Sequence, residues 1–390
     1  MSGSRQTAAS PAAPPVSWVD TPEALSALAR EIAAAPAIGV DLEADSLYHF
    51  QEKTCLLQIS APPRHAVVDT IALRDLACLK PLFGDARIRK VFHGADYDLR
   101  LLQRDFGIRV AQLFDTQLAC RFLGFAETGL EAALKRTFGV ELDKSQRRKD
   151  WSQRPLPPAM VAYAAADVRH LVPLAEHLAA ELAAKGRLAW VLEECRLLAE
   201  LPFAEGKEPG PRFVSCKGAG RLGPRGLAVL EALLALREAL ARKKDRPPFK
   251  VFRTESLLAL AEHPPRDGRG LAESGALSPL QIERYGREVL AAIASALSLP
   301  ENRLPRYPRR PRETLNAAAG ERLQALRRWR ERKGRALGLE PALVCSKAAM
   351  RALAERRPRS EAELRDIGEL RPWQRAAFGG ELLALLQGKG

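Results

Sequence analysis

Apolar positions recur at helical spacing from Thr21 to Ala34, after a capping-type start at Asp20-Thr21-Pro22. Short apolar runs follow. Ala37 to Leu42, Thr54 to Ser60 and Ala66 to Asp69 read as strands, and Pro62-Pro63-Arg64 between the last two reads as a hairpin-like connection. Helical spacing returns from Leu73 to Phe83. A fourth strand is predicted at Arg89 to Phe92, then a helix from Gly94 to Phe106 with Leu99, Leu102 and Phe106 as its apolar stripe. After Leu113-Phe114-Asp115 the pattern is mostly helical, with one long helix predicted from about Pro158 to Lys185. A hairpin followed by strand–helix alternation predicts an α/β domain with a mixed sheet.

Beyond it the pattern is all-helical. Leu227, Leu230 and Leu234 make one stripe, Leu233, Leu236 and Leu240 continue it, and Val289 to Leu297 closes the unit. A second helical region runs from Leu315 to Leu386, and the two look like a loose repeat. In each, a short helix ends at a basic-Pro sequence, His263-Pro264-Pro265 or Arg356-Arg357-Pro358. The predicted organisation is a disordered tail over residues 1–15, an α/β domain over 16–205 and a linker over 206–218. A helical domain over 219–299, a basic linker over 300–314 and a second helical domain over 315–390 complete the chain.

The formal net charge of +14 and the pI of about 9.8 suit a polyanionic partner, nucleic acid first and an anionic membrane surface second. Arg far outnumbers Lys, so genome base composition is a competing source of that charge. The six cysteines are scattered with no C-x-x-C pair, which argues against a zinc site or a disulfide framework and suits a reducing cytoplasm. No run reaches the roughly 18 apolar residues of a membrane helix, and the N-terminus lacks a signal-peptide core. The expectation is a soluble, cytoplasmic protein without a membrane partner.

Asp41 and Glu43 sit two apart within an apolar strand, so both project from one face. Paired carboxylates repel, and a divalent cation is a strong reason to hold them together. On its own the pair fits equally a strand running into solvent. Asp98 lies near the start of the helix after Phe92, at the edge of its buried face. Tyr163 and Asp167 are i and i+4, on one helical face, with an Ala run between them that lets another element approach closely. Together Asp41, Glu43, Asp98 and Asp167 offer hard oxygen ligands for two Mg²⁺ or Mn²⁺ ions, the arrangement used for in-line displacement at phosphate. Tyr163 beside such a site orients water rather than acting as a strong base.

These patterns resemble a known family. Asp-x-Glu on a strand, His-x₄-Asp after a later strand and Tyr-x₃-Asp on a helix are similar to the three exonuclease motifs of the DEDD superfamily, tyrosine subclass. Lys90-Val91-Phe92-His93-Gly94-Ala95, Phe114-Asp115-Thr116-Gln117, Leu142-Asp143-Lys144-Ser145, Asp150-Trp151 and Tyr163 to Asp167 resemble ribonuclease D, and the helical repeats resemble its HRDC domains. The resemblance implies an RNase H-like α/β domain with a mixed sheet and two all-α HRDC-like domains. It implies a two-metal-ion 3′→5′ exoribonuclease that releases 5′-mononucleotides and trims precursor tRNA and other small stable RNAs. By the same resemblance Asp41 bridges both ions, Glu43 and Asp167 complete the first site, Asp98 holds the second and Tyr163 positions the water. A 3′→5′ DNA exonuclease with the same chemistry and a non-catalytic RNA-binding protein are the alternatives. Matched RNA and DNA substrates separate the first, and the complete carboxylate set speaks against the second.

His93 reads as a structural hydrogen-bonder that can also contact substrate, and Asp115 as a helix cap. Asp45 and Asp105 read as solvated. In the basic run before the third motif, Lys144, Arg147, Arg148 and Lys149 are candidate phosphate contacts, with Trp151 stacking on a base or packing beneath the loop. The runs Arg242 to Arg246 and Arg303 to Arg312 are candidate electrostatic footprints, and Trp329 and Trp373 read as core.

Overall fold

A computed structural model describes residues 16–202, 210–308 and 315–388. The tail of residues 1–15, residues 206–209 of the first linker and Arg309, Arg310 and Arg312 of the second lie outside the described residues. Six strands make one sheet: β1 (Val16–Val19), β2 (Ala37–Ala44), β3 (Thr54–Ala61), β4 (Arg64–Asp69), β5 (Arg89–Phe92) and β6 (Leu113–Asp115), in the order β1-β4-β3-β2-β5-β6. β3 and β4 pair antiparallel with Ala61 opposite Arg64, which leaves Pro62-Pro63 as a two-residue turn. β1–β4, β2–β5 and β5–β6 pair parallel, so the sheet is mixed. β3 is central and buried along its whole length, hence its continuous apolar reading. β1 is an element the pattern does not predict, because four residues carry too short an alternation.

The helices of this domain are α1 (Pro22–Ile32), α2 (Lys80–Gly84), α3 (Asp96–Phe106), α4 (Thr116–Leu123), α5 (Leu130–Phe138), α6 (Pro158–Arg169), α7 (Leu171–Ala184) and α8 (Leu188–Ala199). Thr21 caps α1 by accepting from the Ala24 amide, and Pro22 takes the first turn. The helix predicted over Leu73 to Phe83 shrinks to a 3₁₀ turn and α2. The Asp75 carboxylate accepts from the Ala77 amide at 2.8 Å and offers the backbone an alternative to helix. The predicted helix over 158–185 is two helices joined at His170. Pro173 has no N–H to give the Arg169 carbonyl, and the ring crowds it.

Two helical repeats follow in the same order: α9 (Pro224–Lys243), α10 (Pro248–Val251), α11 (Thr254–Glu262), α12 (Gly268–Glu273) and α13 (Pro279–Leu297), then α14 (Ala317–Leu337), α15 (Pro341–Val344), α16 (Lys347–Arg356), α17 (Glu361–Arg365) and α18 (Pro372–Leu386). The chain divides into two compact units. One holds residues 1–43, 54–203 and 314–390, the other 44–53 and 204–313. The second repeat is therefore packed with the α/β domain as one body. Its seam is aromatic. Trp373 of α18 stacks on Trp190 of α8 with ring centres 4.7 Å apart, and Phe122 meets it edge-on at 5.5 Å. The Trp373 amide and indole N–H donate to Glu193 at 3.0 Å and Glu194 at 2.8 Å. Trp329 is likewise buried and donates to Glu381 at 2.9 Å.

In the other unit Leu227, Leu230, Leu233 and Leu234 are buried, and Leu236 and Leu240 pack against them. Phe213, Cys216 and Ala219 join that core, so part of the segment predicted as linker is folded. Phe213 is a large apolar anchor among Pro and Gly, and its amide donates to Glu231 at 3.1 Å. Leu304 and Tyr307, from the predicted basic linker, also pack there. Residues 44–53 close the same unit: His49 and the Phe50 amide both bond the Asp245 carboxylate, at 2.7 and 3.1 Å. Asp45 is fully buried, not solvated, and accepts from the Lys53 amide at 2.7 Å. Asp105 is engaged too, accepting from the Thr54 amide at 3.0 Å and hydroxyl at 2.7 Å, which holds the start of β3.

The aromatic seam makes a stability prediction. Trp373→Ala removes a buried stack and takes the indole donor from Glu194, while the residue-373 amide still reaches Glu193, at a cost of about 3–5 kcal/mol. Urea unfolding followed by circular dichroism measures it, and a loss below about 1 kcal/mol would show that the seam contributes little.

Candidate metal centre

Val40 and Leu42 of β2 are buried, and Asp41 and Glu43 leave the opposite face, half-buried. Asp167 joins them from α6. One ligand oxygen from each of Asp41, Glu43 and Asp167 lies within 4.8 Å of the others. The backbone permits this crowding at Gly39. A Cβ there would sit 3.0 Å from both the Val168 carbonyl oxygen and the Leu171 Cβ, so any side chain would wedge β2 away from the α6–α7 joint.

The other face of α6 is set by small residues and one anchor. Ala164 and Ala165 are buried against Cys55 and Leu56 of β3. Ahead of the helix, Arg154 forms two 2.6 Å bonds with the buried Asp69 at the end of β4. The same guanidinium donates to the carbonyls of Trp151 at 2.9 Å and Cys55 at 3.0 Å. Trp151 is only 1% exposed and lies in this cluster, its ring 5.9 Å from that of Tyr163. It packs beneath the loop and has no free face for a base, which removes it from the substrate-contacting set.

Asp98 enters from the first turn of α3 and is 7% exposed. The start of that helix is held from the sheet edge by Asp115. One carboxylate oxygen of Asp115 accepts from the amides of Gly94 at 2.9 Å, Gln117 at 2.8 Å and Leu118 at 3.3 Å, and the other from Ala95 at 2.9 Å. Asp115 thus caps α4, as its position predicts, and also clamps the turn that delivers Asp98. Thr116 donates its hydroxyl to the Phe92 carbonyl at 2.9 Å, so the 2.9 Å bond to His93 Nδ1 is donated by the imidazole. Burial lowers the His93 pKa, although nearby Asp115 opposes it, and the ring is neutral near pH 7.

Charge at the centre is expensive. Burial first, then neighbouring carboxylates, raises the pKa of Asp41, Glu43 and Asp98. Burial also raises Asp167, to about 6, against the pull of a bond from Tyr163 and of the Arg147 charge. Tyr163 is pushed above its ordinary value by burial and by Asp167, so its hydroxyl stays protonated and donates to that carboxylate. Hard oxygen donors at this spacing fit a divalent cation such as Mg²⁺ or Mn²⁺, which would relieve the repulsion.

Asp41, Tyr163 and Asp167 open into a cleft of about 680 Å³ that His93, Lys144 and Arg147 also line. Lys144 pairs with Glu131 there. Arg148 is exposed but does not line the cleft. Arg147, a candidate from the same run, does line it and is the cation that acts on Glu43 and Asp167. Gln117, also in the cleft wall, enters the sequence reading only as the last residue of the Phe114-Asp115-Thr116-Gln117 resemblance; it packs beside Gly94, whose φ of +80° no side chain adopts easily.

A family model described as 3′-5′ exonuclease matches residues 16–183, and the HRDC domain model matches residues 226–293 and 319–386. The chain is 37% identical over 316 residues to ribonuclease D of Acidiphilium cryptum, covering 80% of this chain and 79% of that protein. It is 32% identical over 378 residues to ribonuclease D of Pseudomonas paraeruginosa, covering 96% and 98%. The crystal structure of Escherichia coli RNase D, an exoribonuclease involved in structured RNA processing, superimposes with a TM-score of 0.71 at 27% identity, covering 96% of this chain and 99% of that one.

Two predictions follow from the packing and the charge. Gly39→Ala weakens Mn²⁺ binding at least tenfold by calorimetry while leaving far-ultraviolet circular dichroism unchanged; unaltered affinity would show that the β2–α6 approach does not set the site. The raised carboxyl groups also tie stability to pH. In the metal-free fold they keep protons that the unfolded chain releases above about pH 4. Their contribution is therefore fully present below pH 4 and lost as pH rises through 6 and beyond. Thermal melts in chelator fall more steeply from pH 5 to pH 8 for the native chain than for Asp41→Asn, and Mn²⁺ reverses the fall; parallel slopes would rule this out.

Proposed function

The chain belongs to the ribonuclease D family and is a 3′→5′ exoribonuclease, and we propose that Asp41, Glu43, Asp98, Tyr163 and Asp167 carry its hydrolytic step. The observation supporting this is the three-carboxylate cluster with a protonated tyrosine bonded to it at the wall of an open cleft. Asp41 and Glu43 on β2 and Asp167 on α6 would hold one divalent ion, and Asp98 with Asp41 a second, Mg²⁺ or Mn²⁺. When bound, such a pair supplies Lewis acidity at the attacking water and at the leaving 3′ oxygen.

The chain's own groups do the rest. Tyr163 keeps its phenolic proton, so it orients the water by hydrogen bonding and does not remove its proton. Its bond to Asp167 fixes the ring relative to the metal-facing carboxylates. Lys144 and Arg147 stand in the cleft wall, where they would meet the phosphates of the terminal nucleotides. His93, neutral and tied to Thr116, keeps the turn before Asp98 in place. The product would be a 5′-mononucleotide and a chain one residue shorter.

We assign its substrates to precursor tRNA and other small stable RNAs with free 3′ ends, an assignment supported by the family. No helix among the described residues is long and apolar enough to cross a membrane. With all six cysteines free, we propose that it acts in the cytoplasm. The domain reading we propose is one exonuclease domain and two HRDC domains.

Asp98→Asn tests the assignment. It lowers the rate of 3′ shortening of a 5′-labelled RNA by at least 10³-fold in Mg²⁺ or Mn²⁺, with the melting temperature held. Shortening at the native rate would take Asp98 out of the site.

A further inference from the structure

The two helical repeats share an architecture but differ in how they use charge. Helix α9 carries four basic and two acidic side chains, a net of +2. It uses most of them internally. Arg225 bonds the Leu297 and Leu299 carbonyls, Arg237 bonds Thr254 at 3.0 Å, Arg242 bonds Glu238 at 3.0 Å, and both acids bond Arg212.

Its counterpart α14 carries seven basic and two acidic side chains, a net of +5. Arg322, Arg330 and Lys333 are engaged, by the carbonyls of Ala354 and Cys345 and by Glu381. Arg327, Arg328, Arg332 and Arg335 are exposed and make no hydrogen bond or ion pair among the described residues. Arg328, Arg332 and Arg335 stand at i, i+4 and i+7, on one face over roughly 10 Å. Leu326 is buried on the opposite side of the helix, and the buried Trp329 lies about a quarter turn from the stripe.

Two ordinary explanations fall short. Complementing the helix dipole accounts for Arg335, in the last turn, but not for Arg328, nine residues before the helix ends. An Arg-rich genome would load α9 and α14 alike, and it does not.

The stripe is also rigidly placed. The buried Arg187 donates to the Phe122 carbonyl at 2.8 Å and the Leu337 carbonyl at 2.7 Å, joining the C-terminal ends of α4 and α14. A Cβ at Gly124, after α4, would overlap the Gly338 carbonyl oxygen, so the two ends are in backbone contact. At its other end α4 presents Gln117 to the cleft. Eight residues of helix, roughly 12 Å, thus separate the cleft wall from the end of the basic helix.

We propose that Arg328, Arg332 and Arg335 form a phosphate-tracking surface that holds the body of an RNA whose 3′ end lies in the cleft. This rests on the exoribonuclease reading and adds to it a contact, independent of base sequence, that favours longer and structured substrates over short oligonucleotides. The second HRDC repeat, fixed to the catalytic domain, then works as a fixed RNA rest.

The test combines Arg328→Gln, Arg332→Gln and Arg335→Gln in the full chain, exposed positions where Gln keeps helix propensity. Two substrates are compared, a trinucleotide and a stem-loop RNA with a single-stranded 3′ tail. The expected result is a KM at least tenfold higher on the stem-loop RNA, an unchanged kcat, and unchanged kinetics on the trinucleotide. The slope of log affinity against log salt shrinks by about 2–3, as three phosphate contacts are lost. Unchanged KM on the stem-loop RNA overturns the proposal, as does equal loss on the trinucleotide. Arg242→Gln with Lys243→Gln on α9 is the control; an equal rise in KM from it would mean bulk charge and overturn the surface. Anisotropy of the same labelled RNA in chelator reads the surface without turnover. A native chain that binds tenfold better than the triple variant yet cuts neither RNA would keep the surface and remove the nuclease reading; equal binding would remove the surface.

Discussion

Mutual repulsion among carboxylates is the constraint on which the rest depends. Three of them converge within 4.8 Å, in surroundings dry enough to push their pKa values up. Nothing in the carboxylates favours this; the fold imposes it from both sides. On β2 the pressure comes from burying Val40 and Leu42, which forces the alternate positions outward together. On α6 it comes from Ala164 and Ala165 against β3 and from the Arg154–Asp69 fork that fixes the approach to the helix. Gly39 is where the two meet, since its missing side chain sets the distance. A centre assembled against its own electrostatics is preorganised for cations, because the cost of gathering its ligands is met in folding.

The same logic extends outward through α4. Its N-cap, Asp115, gathers four amide protons and thereby joins the helix to the Gly94-Ala95 turn before Asp98. At its other end the helix meets the second HRDC repeat through Arg187 and the Gly124–Gly338 contact. One short helix therefore links the turn carrying the buried Asp98 with a repeat that is remote in sequence. The aromatic stack of Trp190 on Trp373 makes that link stiff, since stacked rings with both donors satisfied have few alternative packings.

What was legible in the sequence divides along the range of the interaction. β2, β3 and β4 and the helical stripes of the first repeat rest on local periodicity, and they stand where the pattern puts them. The Asp41–Glu43 and Tyr163–Asp167 pairs were readable because each lies on one element with a fixed side-chain period. The failures are places where a distant partner decides. Trp151 reads as a possible base platform, but β3 and α6 enclose it. Asp45 and Asp105 read as solvated, yet each accepts from a backbone amide, Asp105 from a residue 51 positions away. Phe213 sits in a stretch with linker composition, and one aromatic side chain is enough to pull it into a core. Arg147 and Arg148 are adjacent in a basic run, and no local rule says which faces the cleft.

The charge balance of the centre decides which partner can enter it. Arg147 is the cation felt by Glu43 and Asp167, and both carboxylates remain raised despite it. One guanidinium therefore does not neutralise the cluster. Tyr163 cannot help, because its neutral hydroxyl offers only a dipole. A phosphodiester entering alone would add another negative charge to a site already too negative, so RNA and divalent cation must favour each other there. The basic residues outside the cluster then have a different task. They draw in the polyanion over its length, while at the cluster the terminal phosphate and a divalent cation would offset each other's charge.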